Sequence, residues 1–261
     1  MELAISLYLR FKEHRLIELA AQCSYYLLLS IFPFLIFILT LFSFLPLTLE
    51  FDINVIQDVV PAEIFQFIEG QWTRITSQHN TGLLSFSIIF TIWTASLALN
   101  TILRLLNRAY HVTEERKMLK GRLISIFLTI GMFAVVLVAL GLQVIGATLK
   151  DVLPFDFNIF KFNLLRWGIS SLVLFIVFML LYLVGPNIRL KLRDVYIGAI
   201  FATLGWLLTT SMFTFYLDNF ANYTATYGTI GAVIALMVWF HLSSVIILLG
   251  GEINAELKEK G

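Results

Sequence analysis

The sequence predicts an all-α, polytopic membrane helix bundle of about six transmembrane helices, with both termini in the cytoplasm and an amphipathic N-terminal helix. Three observations predict it. The chain of 261 residues is 59% hydrophobic and only 13% charged, with a mean hydropathy of +0.88, whereas soluble domains run near half apolar and about a quarter charged. Six stretches reach the ~20 apolar residues that a bilayer crossing needs. Lys and Arg alternate between the segments that join them, fourteen on one side and four on the other, which by the positive-inside rule sets the orientation. The six spans fall at about 24–47, 83–103, 123–149, 164–184, 195–217 and 228–253 in one membrane domain covering 1–261.

Residues 1–19 precede the first span. Leu3, Leu7 and Phe11 recur every four residues opposite Glu2, Ser6, Arg10 and Glu13. That pattern predicts an amphipathic helix lying in the cytoplasmic interface, the alternative being a soluble helix packed on the bundle. The apolar run that follows is too long for a signal peptide and ends in Phe44-Leu45-Pro46 without a small-x-small cleavage site, so it is expected to be retained as a span. Glu18, Gln22, Tyr26, Ser30 and Pro33 draw a slowly drifting polar line along it. Pro33 cannot donate to the Leu29 carbonyl and is expected to kink the helix. Ser30 and Pro33 are therefore hinge candidates, or simply a kink satisfied by the Ser30 hydroxyl.

A long external loop is expected over 48–82. It is rich in carboxylates (Glu50, Asp52, Asp58, Glu63, Glu69) against Arg74 alone, with short surface helices on either side of Pro61. A loop of that length is often functional, and a passive cap fits equally.

In the second span Trp93, Ser96, Asn100, Arg104 and Asn107 advance by three or four residues, which places them on one stripe of a helix. They read as the wall of a substrate path or as interhelical hydrogen-bond glue. The basic loop after this span is explained by topology. With a net charge of +1, nothing draws the chain to nucleic acid.

The fourth and fifth spans are joined by Gly185-Pro186-Asn187, a strong helix stop. Gly198, Ala202, Gly205 and Thr209 form a small-residue stripe on the fifth span, and Gly228, Gly231 and Ala235 another on the sixth. Such stripes let helices approach closely, so Gly198, Gly205, Gly228 and Gly231 are packing candidates.

The sixth span also carries Tyr227, His241, Ser244 and Glu252. Ionisable or polar groups inside a membrane are costly and tend to mark function, so Tyr227, His241 and Ser244 join Trp93, Ser96 and Asn100 as path candidates. Glu18, Arg104 and Glu252 all fall near the cytoplasmic ends of their spans. A charge cluster pairing Arg104 with Glu252 or Glu18 is expected there, as a gate or as a static lock, because pairing offsets desolvation.

Nothing in the sequence points to catalysis. The single cysteine, Cys23, leaves no intramolecular disulfide. His14, His79, His111 and His241 are scattered without metal-ligand spacing. No phosphate-cradling or dinucleotide glycine motif and no nucleophile elbow occurs. A non-enzyme with no metal and no cofactor is the expectation.

Three blocks carry a family resemblance. They are Ala20-Ala21-Gln22 through Ser30-Ile31-Phe32-Pro33; Trp93-Thr94-Ala95-Ser96 with Asn100 and Asn107-Arg108-Ala109-Tyr110; and Tyr227-Gly228-Thr229-Ile230-Gly231-Ala232 with Trp239 and Gly250-Gly251-Glu252-Ile253-Asn254-Ala255. Together they resemble the YihY/BrkB family of bacterial membrane proteins over nearly the whole chain. The resemblance implies a multi-pass protein of the bacterial plasma (inner) membrane. Family members have been labelled ribonuclease BN, a label the residues here give no support, and others virulence factors; a role in export or lipid handling has been suggested. The expected function is a transporter, exporter or flippase of a lipid or other amphiphile. A non-transporting scaffold for envelope proteins is the alternative, and an intramembrane enzyme a weaker one. The expected partners are the bilayer and a lipid or amphiphilic substrate, with homo-oligomerisation left open.

Overall fold

The computed structural model describes residues 2–44, 81–112, 121, 123–133, 159–220 and 229–260. Among them the regular structure is entirely helical: α1 (Glu2–Glu13), α2 (Leu16–Phe44), α3 (Thr81–Ala109), α4 (Leu123–Phe133), α5 (Ile159–Val184), α6 (Leu192–Phe220) and α7 (Thr229–Lys260). Four helices are long and apolar enough to cross a membrane, through Leu16–Ile38, Gly82–Ala109, Leu192–Leu217 and Val233–Lys260. Two shorter apolar stretches, Leu123–Phe133 and Gly168–Val184, accompany them. This is a helical membrane bundle. Large apolar side chains such as Phe86, Ile89, Phe127, Leu204 and Met212 stand exposed on these helices, as suits surfaces solvated by hydrocarbon. Residues 48–80 of the loop expected over 48–82, the expected third span beyond residue 133, and Tyr227 and Gly228 lie outside the described residues, while Thr81 and Gly82 already belong to α3.

The segment expected as one amphipathic helix over 1–19 is divided. Arg15 adopts φ 54° and its N–H donates to Lys12 O at 3.1 Å, ending α1 before α2 begins at Leu16. A left-handed residue at that position satisfies carbonyls the helix leaves unpaired. The end of α3 repeats the device more fully. His111 has φ 53°, its N–H donates to Arg108 O, and Val112 N–H donates to Asn107 O at 2.9 Å, the two bonds of a Schellman cap.

The chain forms two compact units. The first comprises Met1–Leu19, Leu99–Leu208 and Val245–Gly261; the second comprises Ala20–Ala98 and Thr209–Ser244.

In the second unit, α2 buries Ala20, Cys23, Ser24 and Ser30, and α3 buries Ser87, Thr91, Thr94 and Ser96. Its hydroxyls turn inward to their own helices: Ser24 to Ala21 O, Ser87 to Leu84 O, Thr91 to Ser87 O and Ser96 to Trp93 O. Each such bond satisfies a polar group without a partner helix. α2 continues through Pro33, which is buried, while Ser30 Oγ donates to Leu27 O at 2.7 Å. The Cys23 thiol reaches Ala98 O at 3.7 Å, and Trp239 Nε1 donates to Thr210 Oγ1 at 3.3 Å.

The first unit is built around the last four turns of α7. Gly250 and Gly251 remove two side chains from its surface. A Cβ on Gly250 would collide with the Tyr182 hydroxyl of α5, and one on Gly251 with Leu106 of α3. Tyr182 uses that space to donate from its hydroxyl to Ile247 O at 2.6 Å. On α6, Gly198 sits against the Gly250 carbonyl and the Asn254 amide, and Gly205 against Ile246, whose Cγ2 would lie 2.9 Å from an added Cβ. Asn254, 1% exposed, spans the α6–α7 seam: its Oδ1 accepts from Gly198 N–H at 2.7 Å and its Nδ2 donates to Val195 O at 3.1 Å. The turn after α5 is tied to α3 by Asn187 N–H donating to Asn107 Oδ1 at 2.7 Å. Replacing Tyr182 by Phe leaves Ile247 O without that donor in a buried seam and is expected to cost about 1 kcal/mol, read as a lowered thermal midpoint of the detergent-solubilised protein.

Candidate functional site

The most concentrated chemistry among the described residues lies where α1 meets the end of α7. On α7, Glu252, Glu256 and Glu259 are spaced by four and three residues, so their side chains share one stripe. Arg10 of α1 and His14, in the turn that follows it, are four apart, and His14 N–H still donates to Arg10 O at 2.9 Å, so the two face one way. The two stripes interlock. Arg10 Nε lies 2.6 Å from Glu256 Oε2, its Nη2 pairs with Glu259, and its Nη1 lies 3.6 Å from Glu252 Oε2. Nη1 also donates to Ala109 O, the last residue of α3, at 3.0 Å, so the same cation caps the negative end of a helix dipole. His14 Nδ1 lies 2.6 Å from Glu252 Oε1. A planar fork of five donors is suited to this divergent set of acceptors.

Burial grades across the cluster. The side chains of Glu252 and Glu256 are 0% and 3% exposed, and those of His14 and Arg10 5% and 10%. Glu259 is 44% exposed and is met from the water side by His111 Nε2 at 3.1 Å. Lys260 Nζ reaches Glu256 Oε1 at 2.9 Å, also from the exposed side. Among the described residues, Glu252 Oε2 and the Tyr110 hydroxyl are buried without a hydrogen-bond partner. Burial, and then the negative charges of Asp194 and Glu252, hold the Tyr110 phenol protonated well above its usual range, so Tyr110 stands in the cluster as a neutral group.

The cluster corrects the expected one. Glu252 is central, but its cationic partners are Arg10 and His14, not Arg104. Leu106 is the α3 residue packed on Gly251 of α7; Arg104, two positions earlier, is turned some 200° away on the helix. It is exposed, and its guanidinium donates to Thr101 Oγ1 at 3.2 Å. Glu18 is exposed and pairs with Arg15 at 3.5 Å. Arg10 and His14 belong to a segment whose pattern predicts a membrane-surface helix, where basic residues are ordinary. The signal that could have found them is the match of an i, i+4 basic pair with an i, i+4, i+7 acidic stripe.

The remaining candidates fall as follows. Trp93 is 56% exposed, Ser96 is buried on its own backbone, and His241 is half-buried, with Ser244 buried, all four in the second unit. Asn100 is half-buried in the first unit. Gly198 and Gly205 lie at the α6–α7 seam, and Gly231 is buried. No group of three metal-ligating side chains occurs among the described residues.

Helices of this length and polarity, with a buried charge cluster at one end, define a multi-pass membrane protein. The chain belongs to the BrkB family: the family model described as virulence factor BrkB matches residues 7–261. It is 45% identical over 259 residues to the ribonuclease-like protein YfkH of Bacillus subtilis (strain 168), covering 97% of this chain and 94% of that one. It is 28% identical over 259 residues to a UPF0761 membrane protein of Tolumonas auensis, covering 94% and 82%, and 24% identical over 264 residues to one of Haemophilus influenzae, covering 97% and 93%. No solved structure matches.

Proposed function

We propose that this protein is a transporter, exporter or flippase that moves a lipid or other amphiphile across the bacterial plasma membrane, with the α1–α7 cluster as its cytoplasmic gate. One observation supports the reading above all. Glu252 is a fully buried carboxylate on a membrane-crossing helix, and its charge is met by α1, a helix outside the crossings. A buried ionisable group in a spanning helix is by default a functional group, and a pair divided between separable elements can open. The exposed face of α1 carries Ile5, Tyr8 and Leu9, with Lys12 Nζ 4.8 Å over the Tyr8 ring. In this reading that face rests among lipid head groups, the apolar side chains inward and the ammonium outward.

The proposed activity is non-enzymatic. The ribonuclease-like name of the Bacillus subtilis relative describes that protein, and this sequence carries no motif for hydrolysis. A second reading, a non-transporting scaffold for envelope proteins, draws on the hydroxyls of Ser87, Thr91 and Ser96, which bond to their own helix rather than line a path.

Vesicles containing only this protein separate the two. With head-group-labelled phospholipid and a membrane-impermeant quencher, a flippase exposes inner-leaflet label, and Glu252→Gln changes the rate several-fold. Quenching identical to protein-free vesicles, together with no protein-dependent efflux of an amphiphilic dye, would leave the scaffold reading standing.

A further inference from the structure

We infer that His14 and Glu252 form a buried proton-binding site, and that the bound proton holds α1 against α7. The argument begins from charge. Four side chains at the seam are nine-tenths or more buried: Arg10, His14, Glu252 and Glu256. They supply one permanent cation and two carboxylates. Without a further proton the buried set carries one uncompensated negative charge, in surroundings where an unpaired charge is expensive. One proton on the His14–Glu252 pair makes the set neutral, whichever of Nδ1 and Oε1 carries it across their 2.6 Å.

The other facing groups do not supply that charge. Lys260 Nζ does lie 2.9 Å from Glu256 Oε1, but Glu259 adds a third carboxylate on Arg10, so counting both leaves the same single negative charge. Glu259, His111 and Lys260 are also substantially exposed, where water and salt screen them. Lys258 of α7 is matched by Asp194 of α6 at 3.5 Å. Tyr110, at the end of α3, stays a neutral phenol. Glu252 Oε2, sealed from solvent without a hydrogen-bond partner, marks where the balance is least complete. Arg10 sits 3.6 Å from it, which disfavours a metal cation there; a proton is the positive ligand that fits.

The direction of the linkage follows. The docked arrangement binds the proton more tightly than an undocked α1, whose histidine and carboxylate would be solvated separately. Docking is therefore favoured at low pH and weakens as pH rises, by at most tenfold in equilibrium constant per pH unit for one proton. If the cluster gates transport as proposed above, this proton regulates it, but docking can be measured without any substrate.

The experiment uses the full chain in lipid nanodiscs, in a Cys23→Ser background. A cysteine replaces Leu7 on the half-buried side of α1, and in a second variant Leu9 on its exposed side. Maleimide labelling at Leu7→Cys is divided by that at Leu9→Cys at each pH, which removes the thiol's own ionisation. The ratio is expected to be low near pH 5 and to rise several-fold towards about pH 9. Adding Glu252→Gln leaves Arg10 and Glu256 balanced without a proton, so between about pH 7 and pH 9 the ratio is expected to stay low instead of rising. A flat ratio in the parent protein, or a pH-dependent rise that survives Glu252→Gln, would overturn the assignment. Monodisperse gel filtration of each variant confirms that labelling reports docking rather than collapse, and inactive vesicles with an intact pH response would sink the transport reading alone.

Discussion

Arg10→Met is expected to release α1 from the rest of its unit, at a cost of about 3–5 kcal/mol. Its guanidinium meets three carboxylates of α7 and the terminal carbonyl of α3. Methionine fills much of the same volume but supplies no donor. Glu256 would keep Lys260 and the Ser6 hydroxyl, and Glu252 only His14, in a site almost without water. The penalty is the cost of two buried carboxylates stripped of their cation, which is far larger than the net worth of the intact pairs. Ala109 O would lose its cap as well.

That origin makes a further outcome diagnostic. Arg10→Met combined with Glu252→Gln and Glu256→Gln removes the stranded charges together with the cation, and most of the lost stability is expected to return. Arg10→Lys should fall between, since a single ammonium cannot reach carboxylates and a carbonyl that diverge around a planar fork. Limited proteolysis at α1, read beside the thermal midpoint, distinguishes undocking from global unfolding. Single and triple variants that are equally protected would show that the cluster contributes nothing to holding α1.

The membrane fold was legible because hydrocarbon imposes a simple demand, long apolar helices with their backbone bonds closed internally. Composition and run length therefore predicted α2, α3, α6 and α7 as crossings. The cluster was half legible. Glu252 is conspicuous because a carboxylate in an apolar run is rare, whereas Arg10 and His14 sit in a short polar segment where charges are ordinary. Arg104 looked like the partner because depth along a helix can be read from sequence. Its rotation away from α7 cannot, since that depends on which face of α3 the Gly251 gap receives. Asn254 was similarly hidden: a single amide in a polar tail gives no sign that it bridges to the backbone of α6.

The α6–α7 seam is where a single methyl group is expected to do the most damage. In Gly198→Ala, the new Cβ falls on the Gly250 carbonyl oxygen and within 2.5 Å of Asn254 Cγ. A side chain could swing aside; a helix carbonyl cannot, so the two helices must separate. Val195, Ala199 and Ala202 on α6 and Leu248 and Ala255 on α7 are fully buried, and separation would loosen packing around all of them. Overpacking of this kind costs about 1–3 kcal/mol, and stranding the Asn254 amide away from Val195 O and Gly198 N–H adds about 1–3 kcal/mol. The loss should therefore approach that of Arg10→Met while leaving the charge cluster's chemistry unchanged. Gly168 on α5 supplies the control, because an added Cβ there meets nothing within 4 Å. Gly168→Ala should be neutral or raise stability by up to about 1 kcal/mol through helix propensity alone. Thermal midpoints of the two alanine variants in the same detergent give the comparison. Equal midpoints would mean that the close approach of α6 to α7 at Gly198 is not the contact that holds this seam together.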